Sequence, residues 1–258
     1  MTTFSNAVAV LRLFTPQRAE LSVTEVSRLL KMPKSSASRL LRAMRQEGLL
    51  TGVGTTPRYR LGHLLFEIAC LHGRSTSVME AAEIALTDIC NDTRQGGYIS
   101  VLDGPDILVL RVCRASEPLR VVTPLGTRLS AYESANGRAI LARMSDEAVR
   151  ALYPGPFRPR SPNSPQSIDE LLRALEQVRR VGWCESMDES VAGVGSVAIS
   201  LVDAENEETL GVCVSFPAYT IGKAERRRYA GMLTSAAKRI APADPLWAKI
   251  KNAQVVAA

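Results

Sequence analysis

Apolar residues recur three and four positions apart through the first 75 residues, the period of helices with one buried side. "SNAVAVLRLF" sets Ala7, Val10, Leu11 and Phe14 on one such side, and "LSVTEVSRLL" does the same with Val26, Leu29 and Leu30. The second stretch opens with Ser22 and Glu25 in the spacing of a capping box. In "KMPKSSASRLLRAMRQEGLL", residues 31–50, Ala37, Leu40, Leu41 and Met44 predict a third helix. Pro33 is expected in its first turn, where a missing N–H costs nothing. "GLLTGVGTTPRYRLG" then offers two short extended runs around "GVGTTP", a small hairpin.

From about residue 78 the pattern turns mixed. "GYISVLDGPDILVLRVCR" is two strand-like runs about a "DGPD" turn. "LRVVTPL", "VGSVAISLVD" and "TLGVCVSFP" predict further strands, the last two joined by acidic "AENEE". "SIDELLRALEQVRRVGW" begins with Ser167 and Glu170 as a second capping box, and "KAERRRYAGMLTSAAKRI" reads as a helix buried through Met232, Leu233, Ala236, Ala237 and Ile240. Together these predict an α+β domain, an antiparallel sheet with helices packed on it. "YPGPFRPRSPNSPQS", with prolines at 154, 156, 159, 162 and 165, is either a domain boundary or a surface loop. A loop is favoured, because the strands on either side are too few to fold separately.

Composition and charge add the setting. The chain has 258 residues, 46% hydrophobic and 22% charged, enough for one or two packed cores. No apolar run approaches the roughly 20 residues that span a bilayer, and "MTTFSNAVAVLRLF" lacks a basic front and a small-residue cleavage site, so a cytoplasmic location without membrane contact is expected. Five cysteines at 70, 90, 113, 184 and 213 are odd in number and far apart, which reads as reduced packing residues. With only His63 and His72 beside them, neither a metal site nor a cofactor is expected. The net charge of +6 is unevenly placed: residues 1–75 hold 11 Lys and Arg against 4 Asp and Glu, the remainder 21 against 22. One basic domain facing a polyanion, and one neutral domain with another task, fits that asymmetry.

The short second helix, tight turn and longer third helix form a helix-turn-helix pattern, with the hairpin as a wing. On the third helix Lys34, Ser35, Ser36, Ser38, Arg39 and Arg42 supply hydroxyls and cations with no acid before Glu47. A merely solvated face usually intersperses both signs. Serines at a helix start suit phosphate, and arginines farther along suit phosphate or guanine edges, so these six are assigned to double-stranded DNA. Arg58 and Arg60 on the return strand of the wing are assigned to phosphate or minor groove.

The string "LSVTEVSRLLKMPKSSASRLLRAMRQEGLL" followed by "YRLG" resembles the winged helix-turn-helix of IclR-type bacterial transcription regulators, and the resemblance runs through nearly the whole chain. It implies a linker helix at "HLLFEIACLHG", bracketed by Gly62 and Gly73, and an effector domain similar to GAF domains. The expected division is 1–61 winged helix-turn-helix, 62–77 linker helix, 78–245 effector domain and 246–258 tail. The resemblance further implies homodimers or dimers of dimers on a palindromic operator. It implies an effector held between "SANGRAILA" and the stretches "GWCESMDES", "GVGSVAIS" and "GVCVSFP". Position by position it puts Ala135 and Asn136 on one wall, Ser186 and Ser196 on another, and Cys213 and Ser215 at the end of a strand, with Gly137 starting the following helix. Such a site suits a small organic acid, and a repressor of a catabolic operon is the expected role. Arg138 stands where many relatives carry Lys. Independently of the family, the alternation in "GVCVSF" already puts Cys213 and Ser215 on one side of a strand.

Two other readings stay open. An enzyme fused to a DNA-binding domain is disfavoured, since no histidine follows position 72 to pair with a nucleophile and "GVGS" is neither a nucleophile elbow nor a phosphate loop. Asp188 and Glu189 could form a carboxylate pair, but adjacent acids before a glycine are more often turn residues. A DNA-binding protein with a purely dimerising second domain is the remaining alternative. No catalytic residue is assigned.

Overall fold

The computed structural model describes residues 2–15, 17–54, 56–72, 77–114, 123–204 and 207–250. The chain divides into two compact units, Met1–Arg74 and Ser75–Ala258. In the first, the elements run α1 (Thr3–Arg12), β1 (Leu21–Ser22), α2 (Val23–Leu29), α3 (Lys34–Gln46), β2 (Leu50–Gly52), β3 (Arg58–Leu61) and α4 (His63–His72). The three strands form one antiparallel sheet, ordered β1-β3-β2. Val10, Val26, Ala37, Leu40, Leu41 and Met44 interlock with Leu21 and Leu50 as its core.

Local chemistry explains the boundaries. Ser22 and Glu25 close the capping box in both directions, each side chain taking the other's backbone N–H. Lys31, with φ of +51°, stops α2 and turns the chain, and Ser27 clamps the turn by donating its hydroxyl to the Met32 carbonyl at 2.7 Å. Pro33 is the N-cap of α3, one place before the expected first turn, because its extended ψ of 141° suits the cap. At the other end Gly48 adopts φ of +76°, the N–H of Leu49 donates to Met44 O and that of Gly48 to Arg45 O, the paired bonds of a Schellman stop. A Cβ on Gly62 would lie 1.9 Å from the carbonyl oxygen of Gly48, so Gly62 is bare to let the start of α4 touch that stop, and it is not a free hinge. Gly73 lies outside the described residues.

The second unit contains α5 (Ser77–Thr93), β4 (Gly96–Asp103), β5 (Asp106–Cys113), β6 (Arg128–Ser130), α6 (Ala135–Leu141), α7 (Asp146–Leu152), α8 (Ile168–Val181), β7 (Cys184–Met187), β8 (Val194–Asp203), β9 (Glu208–Pro217), α9 (Lys223–Ile240) and α10 (Pro245–Lys249). Six strands make an antiparallel sheet in the order β6-β5-β4-β9-β8-β7. Ile99, Val197, Ile199, Val212, Val214 and Phe216 face one way, onto α5, α9, Trp247 of α10 and Ile250, which follows it. Tyr98, Ala198 and Cys213 face the other way, toward α6 and α8. The alternation expected of "GVCVSF" is thus shared by "GYISV" and "VGSVAIS" and resolved into two covered faces.

Several details differ from the sequence reading. Residues 119–122 of "LRVVTPL" lie outside the described residues, and Thr123–Leu125 are not in a strand; the neighbouring strand is β6, paired with Asp106–Leu108. Ser167 caps α8, but the Glu170 carboxylate accepts the N–H of Gln166, one residue earlier than a capping box requires. On α9, Tyr229, Ala230 and Thr234 are buried and Met232 and Ile240 only partly. The proline-rich stretch is a loop against the sheet unit, with Phe157 stacked on Tyr132 at 4.3 Å. Packing continues past 245: Asp244, 7% exposed, caps α10 and forms a two-pronged ion pair with Arg143, while the Trp247 indole donates to the Ser200 carbonyl. Burial of Trp247 and Ile250 draws this segment into the core rather than a tail.

Candidate functional site

On α3 the buried side, Ala37, Leu40, Leu41 and Met44, fixes which residues face outward. At about 100° per residue, Ser35, Ser38, Arg39 and Arg42 share the opposite face, Lys34 and Arg45 flank it, and Ser36 lies on the other flank. Lys34, Ser35, Arg39 and Arg42 are exposed, and Ser36 and Ser38 half-buried. No side chain caps the start of α3, which leaves its first-turn N–H groups at the same end as the serines. Among the described residues, no ion pair uses Lys34, Arg39, Arg42 or Arg45.

The wing behaves differently. Arg60 is exposed on β3. Arg58 is not free: its guanidinium bridges Glu20 at 3.2 Å and Glu25 at 3.3 Å and donates to the Glu20 carbonyl. It ties β3 to the capped start of α2. The Ser22 hydroxyl and N–H, more than Arg58, hold the Glu25 carboxyl below its ordinary range.

In the second unit the strand register builds a polar row. Ser186 lies opposite Ser196 across β7 and β8, and Ser196 opposite Ser215 across β8 and β9, with 3.0 Å between the last two hydroxyls. The next row holds Cys184, Ala198, Cys213 and Tyr98, and Cys213 Sγ lies 3.8 Å from Ser215 Oγ. Burial pushes the Cys213 thiol up to about 12, so it stays neutral, and burial likewise raises the Tyr98 phenol. Above this face lies α6. Its cap is Ser134, whose hydroxyl takes the N–H of Gly137, so α6 begins at Ala135 and not at Gly137. Gly137 has another reason to be bare: a Cβ there would sit 2.2 Å from the Ala131 carbonyl. Asn136, wholly buried, donates from Nδ2 to Ser100 Oγ at 2.9 Å, while its Oδ1 is buried with no partner. Glycine at 211 makes room for it, since a Cβ there would meet Oδ1 at 2.9 Å.

The structure therefore gathers Ser186, Ser196, Cys213 and Ser215 on one face of the sheet, with Ala135 and Asn136 on the helix across it. The sequence reading missed Tyr98 and Ser100. Their signal was present in "GYISV", where two polar-tipped side chains alternate within an otherwise apolar strand. It also passed over the partner of Arg138. That guanidinium, 4% exposed, forks onto the Glu189 carboxylate, donates to the carbonyls of Tyr132 and Glu185, and contacts Cys184 Sγ at 3.3 Å. It pins α6 to the end of β7. Asp188, at φ of +57°, accepts the N–H of Gly193 and is a turn residue, so Asp188 and Glu189 form no carboxylate pair. A groove of about 490 Å³ beside α8 and β7 is bordered by Arg138, Ser164, Trp183 and Cys184 and touches none of the six assigned effector residues. Among the described residues there is no metal-binding cluster and no helix long and apolar enough to cross a membrane.

Comparison with known proteins bears on both units. Residues 3–54 match the model of the IclR helix-turn-helix domain, and residues 71–242 that of the bacterial transcriptional regulator IclR C-terminal domain. The chain is similar to the HTH-type transcriptional regulator KdgR of Escherichia coli K12, 26% identical over 225 residues, covering 87% of this chain and 86% of that one. It is 23% identical to the transcriptional repressor IclR of the same organism over 222 residues, 85% of this chain and 81% of the relative. Its fold matches the crystal structure of an IclR homolog from Microbacterium hydrocarbonoxydans complexed with 4-hydroxybenzoate, at a TM-score of 0.79 and 20% identity, over 93% of this chain and 97% of that one. These relatives are named as regulators and not as enzymes. With matching models over both the helix-turn-helix and the larger α+β unit, the chain belongs to the IclR family of bacterial DNA-binding transcriptional regulators.

Proposed function

We propose that this protein is a ligand-responsive repressor of catabolic genes that acts in the cytoplasm. It binds a palindromic operator as a homodimer or dimer of dimers and releases it when a small organic acid enters the effector domain. The observation that carries the DNA half is α3 itself: a buried apolar side and, opposite it, Ser35, Ser38, Arg39 and Arg42, whose cations have no protein partner among the described residues. Lys34, Ser36 and Arg60 extend the contact to flanking phosphates. Arg58 acts indirectly, by holding the wing. Exposed Phe4 on α1 and Phe66 on α4, 79% and 72% exposed, support self-association through apolar surface.

The effector half rests on the hydroxyl row of Ser186, Ser196 and Ser215, the neutral thiol of Cys213, and Ala135 and Asn136 on the helix above. A set of hydroxyl donors without a fixed charge suits a hydroxylated carboxylate, as the 4-hydroxybenzoate complex of the structurally similar homolog supports. The segment 62–77 joins residues 1–61 to the effector domain and carries the response between them.

Binding of the full protein to the DNA upstream of its own gene, titrated with a panel of aliphatic and aromatic hydroxy acids, tests the proposal. At least one compound should weaken DNA binding five-fold or more, the low end of typical allosteric coupling, and Ser196→Ala with Ser215→Ala should abolish that response while leaving DNA affinity intact. DNA binding that no panel member alters would sink the ligand half. Turnover of a panel compound would favour an enzyme instead.

A further inference from the structure

Two cysteines that neither the DNA surface nor the effector face uses come together in the second unit. Cys90 lies on α5, 2% exposed, and Cys113 ends β5, half-buried. Both pack on the same side of the sheet, in the layer between it and α5. What lets them meet is a glycine. Gly97 on β4 is the direct cross-strand partner of Cys113, and a Cβ on it would stand 3.1 Å from Cys90 Sγ and 2.8 Å from Leu86. With no side chain at 97, the Cys90 thiol occupies the space beside Gly97, directly across the ladder from Cys113. Thr87, one helical turn before Cys90, sets its hydroxyl 3.4 Å from Cys113 Sγ.

The two thiols are inequivalent. The neighbouring Cys90 thiol is the main influence that holds the Cys113 thiol down to about 7, with the Thr87 hydroxyl adding to it, against the opposing effects of burial and Glu83. The same interaction, with burial, pushes Cys90 up. The more exposed sulfur is thus the better nucleophile at neutral pH, and the buried one sits behind it as a reserve.

We propose that Cys113 and Cys90 form a peroxide-oxidisable pair, Cys113 attacking and Cys90 resolving. The Cys113 thiolate attacks one peroxide oxygen, forming an S–O bond as the O–O bond breaks, and leaves a sulfenic acid and hydroxide. The Cys90 sulfur then attacks that of Cys113, forming the S–S bond as the S–O bond breaks. Its proton and the departing hydroxide leave as water. Two thiols lose two electrons and one hydrogen peroxide becomes two waters. The disulfide closes a loop from α5 to the end of β5 and gives the domain a second chemical input besides its effector.

The test uses the reduced full-length protein and hydrogen peroxide at one equivalent. Of the five thiols, two should be lost, a proteolytic peptide pair linked through Cys90 and Cys113 should appear by mass spectrometry, and dithiothreitol should restore both. The oxidised form should melt roughly 5–10 °C higher, as expected for a loop of this length in a domain of this size. Cys90→Ser should leave sulfenic acid at Cys113, trapped by dimedone, and Cys113→Ser should leave Cys90 unreacted. Retention of all five thiols, loss confined to Cys70, or oxidation of Cys113 in the wild type without the link would each overturn the proposal.

Discussion

At the scale of single residues, the charged groups sort by whether the protein already satisfies them. Arg39 and Arg42 are exposed on the face of α3 opposite the core, whereas Arg58 is spent on Glu20 and Glu25. Arg58→Ala should therefore lower the stability of the first unit, by about 1 kcal/mol for a half-exposed network, and weaken DNA binding only through the wing. Urea denaturation read alongside anisotropy separates the two effects. Ser22→Ala should cost about 1 kcal/mol by opening the capping box. Its pH dependence has a definite sign: the native Glu25 carboxyl lies below its ordinary value, so its stabilisation is complete above the unfolded value and fades as pH falls through the native one. A wild-type advantage over Ser22→Ala that failed to shrink below about pH 4 would contradict this. Cys213 runs the other way. Its raised value favours the neutral thiol in the folded state, so that contribution is full below about 9 and is lost as pH climbs toward about 12. Cys213→Ala should make the alkaline fall in the urea midpoint shallower over that range.

At the scale of elements, close approach of backbones decides more than propensity does. Gly62 against the Gly48 carbonyl and Gly137 against Ala131 join elements where no side chain fits. Gly62→Ala should disrupt the junction of wing and α4, costing more than the roughly 1 kcal/mol expected of an open helix-end substitution, measurable as a drop in the thermal midpoint. Much at this scale was legible in the sequence: the capping box at Ser22, the buried side of α3 and the hairpins at 96–113 and 194–217 follow from local periodicity. The rest depended on what lies far away in the chain. Nothing near Pro33 distinguishes a cap from a first turn, and nothing near Gly137 reveals Ala131 pressing on it. Nor does the string "PADPLWAKI" announce that Asp244 will find Arg143, a hundred residues earlier. The candidate effector face was half legible: alternation places Cys213 with Ser215, but the Ser186–Ser196–Ser215 row exists only once β7, β8 and β9 are in register.

At the scale of the molecule, the chain combines a basic unit whose helices carry exposed apolar side chains with a neutral sheet unit whose two faces are both covered, which matches the proposed division of contact from control. Phe66→Glu should lower the oligomeric state measured by light scattering if α4 supports self-association, and leave the fold of each unit intact by circular dichroism. The most direct measurement is the salt dependence of DNA binding by wild type and by the Arg39→Ala, Arg42→Ala double variant, on the fragment upstream of the protein's own gene. If both arginines meet phosphates, the slope of log K against log salt should flatten by roughly 2, about 0.9 per phosphate, with the thermal midpoint unchanged. The same affinity and the same slope in both proteins would contradict the account, because the exposed cations of α3 would then be doing nothing on DNA.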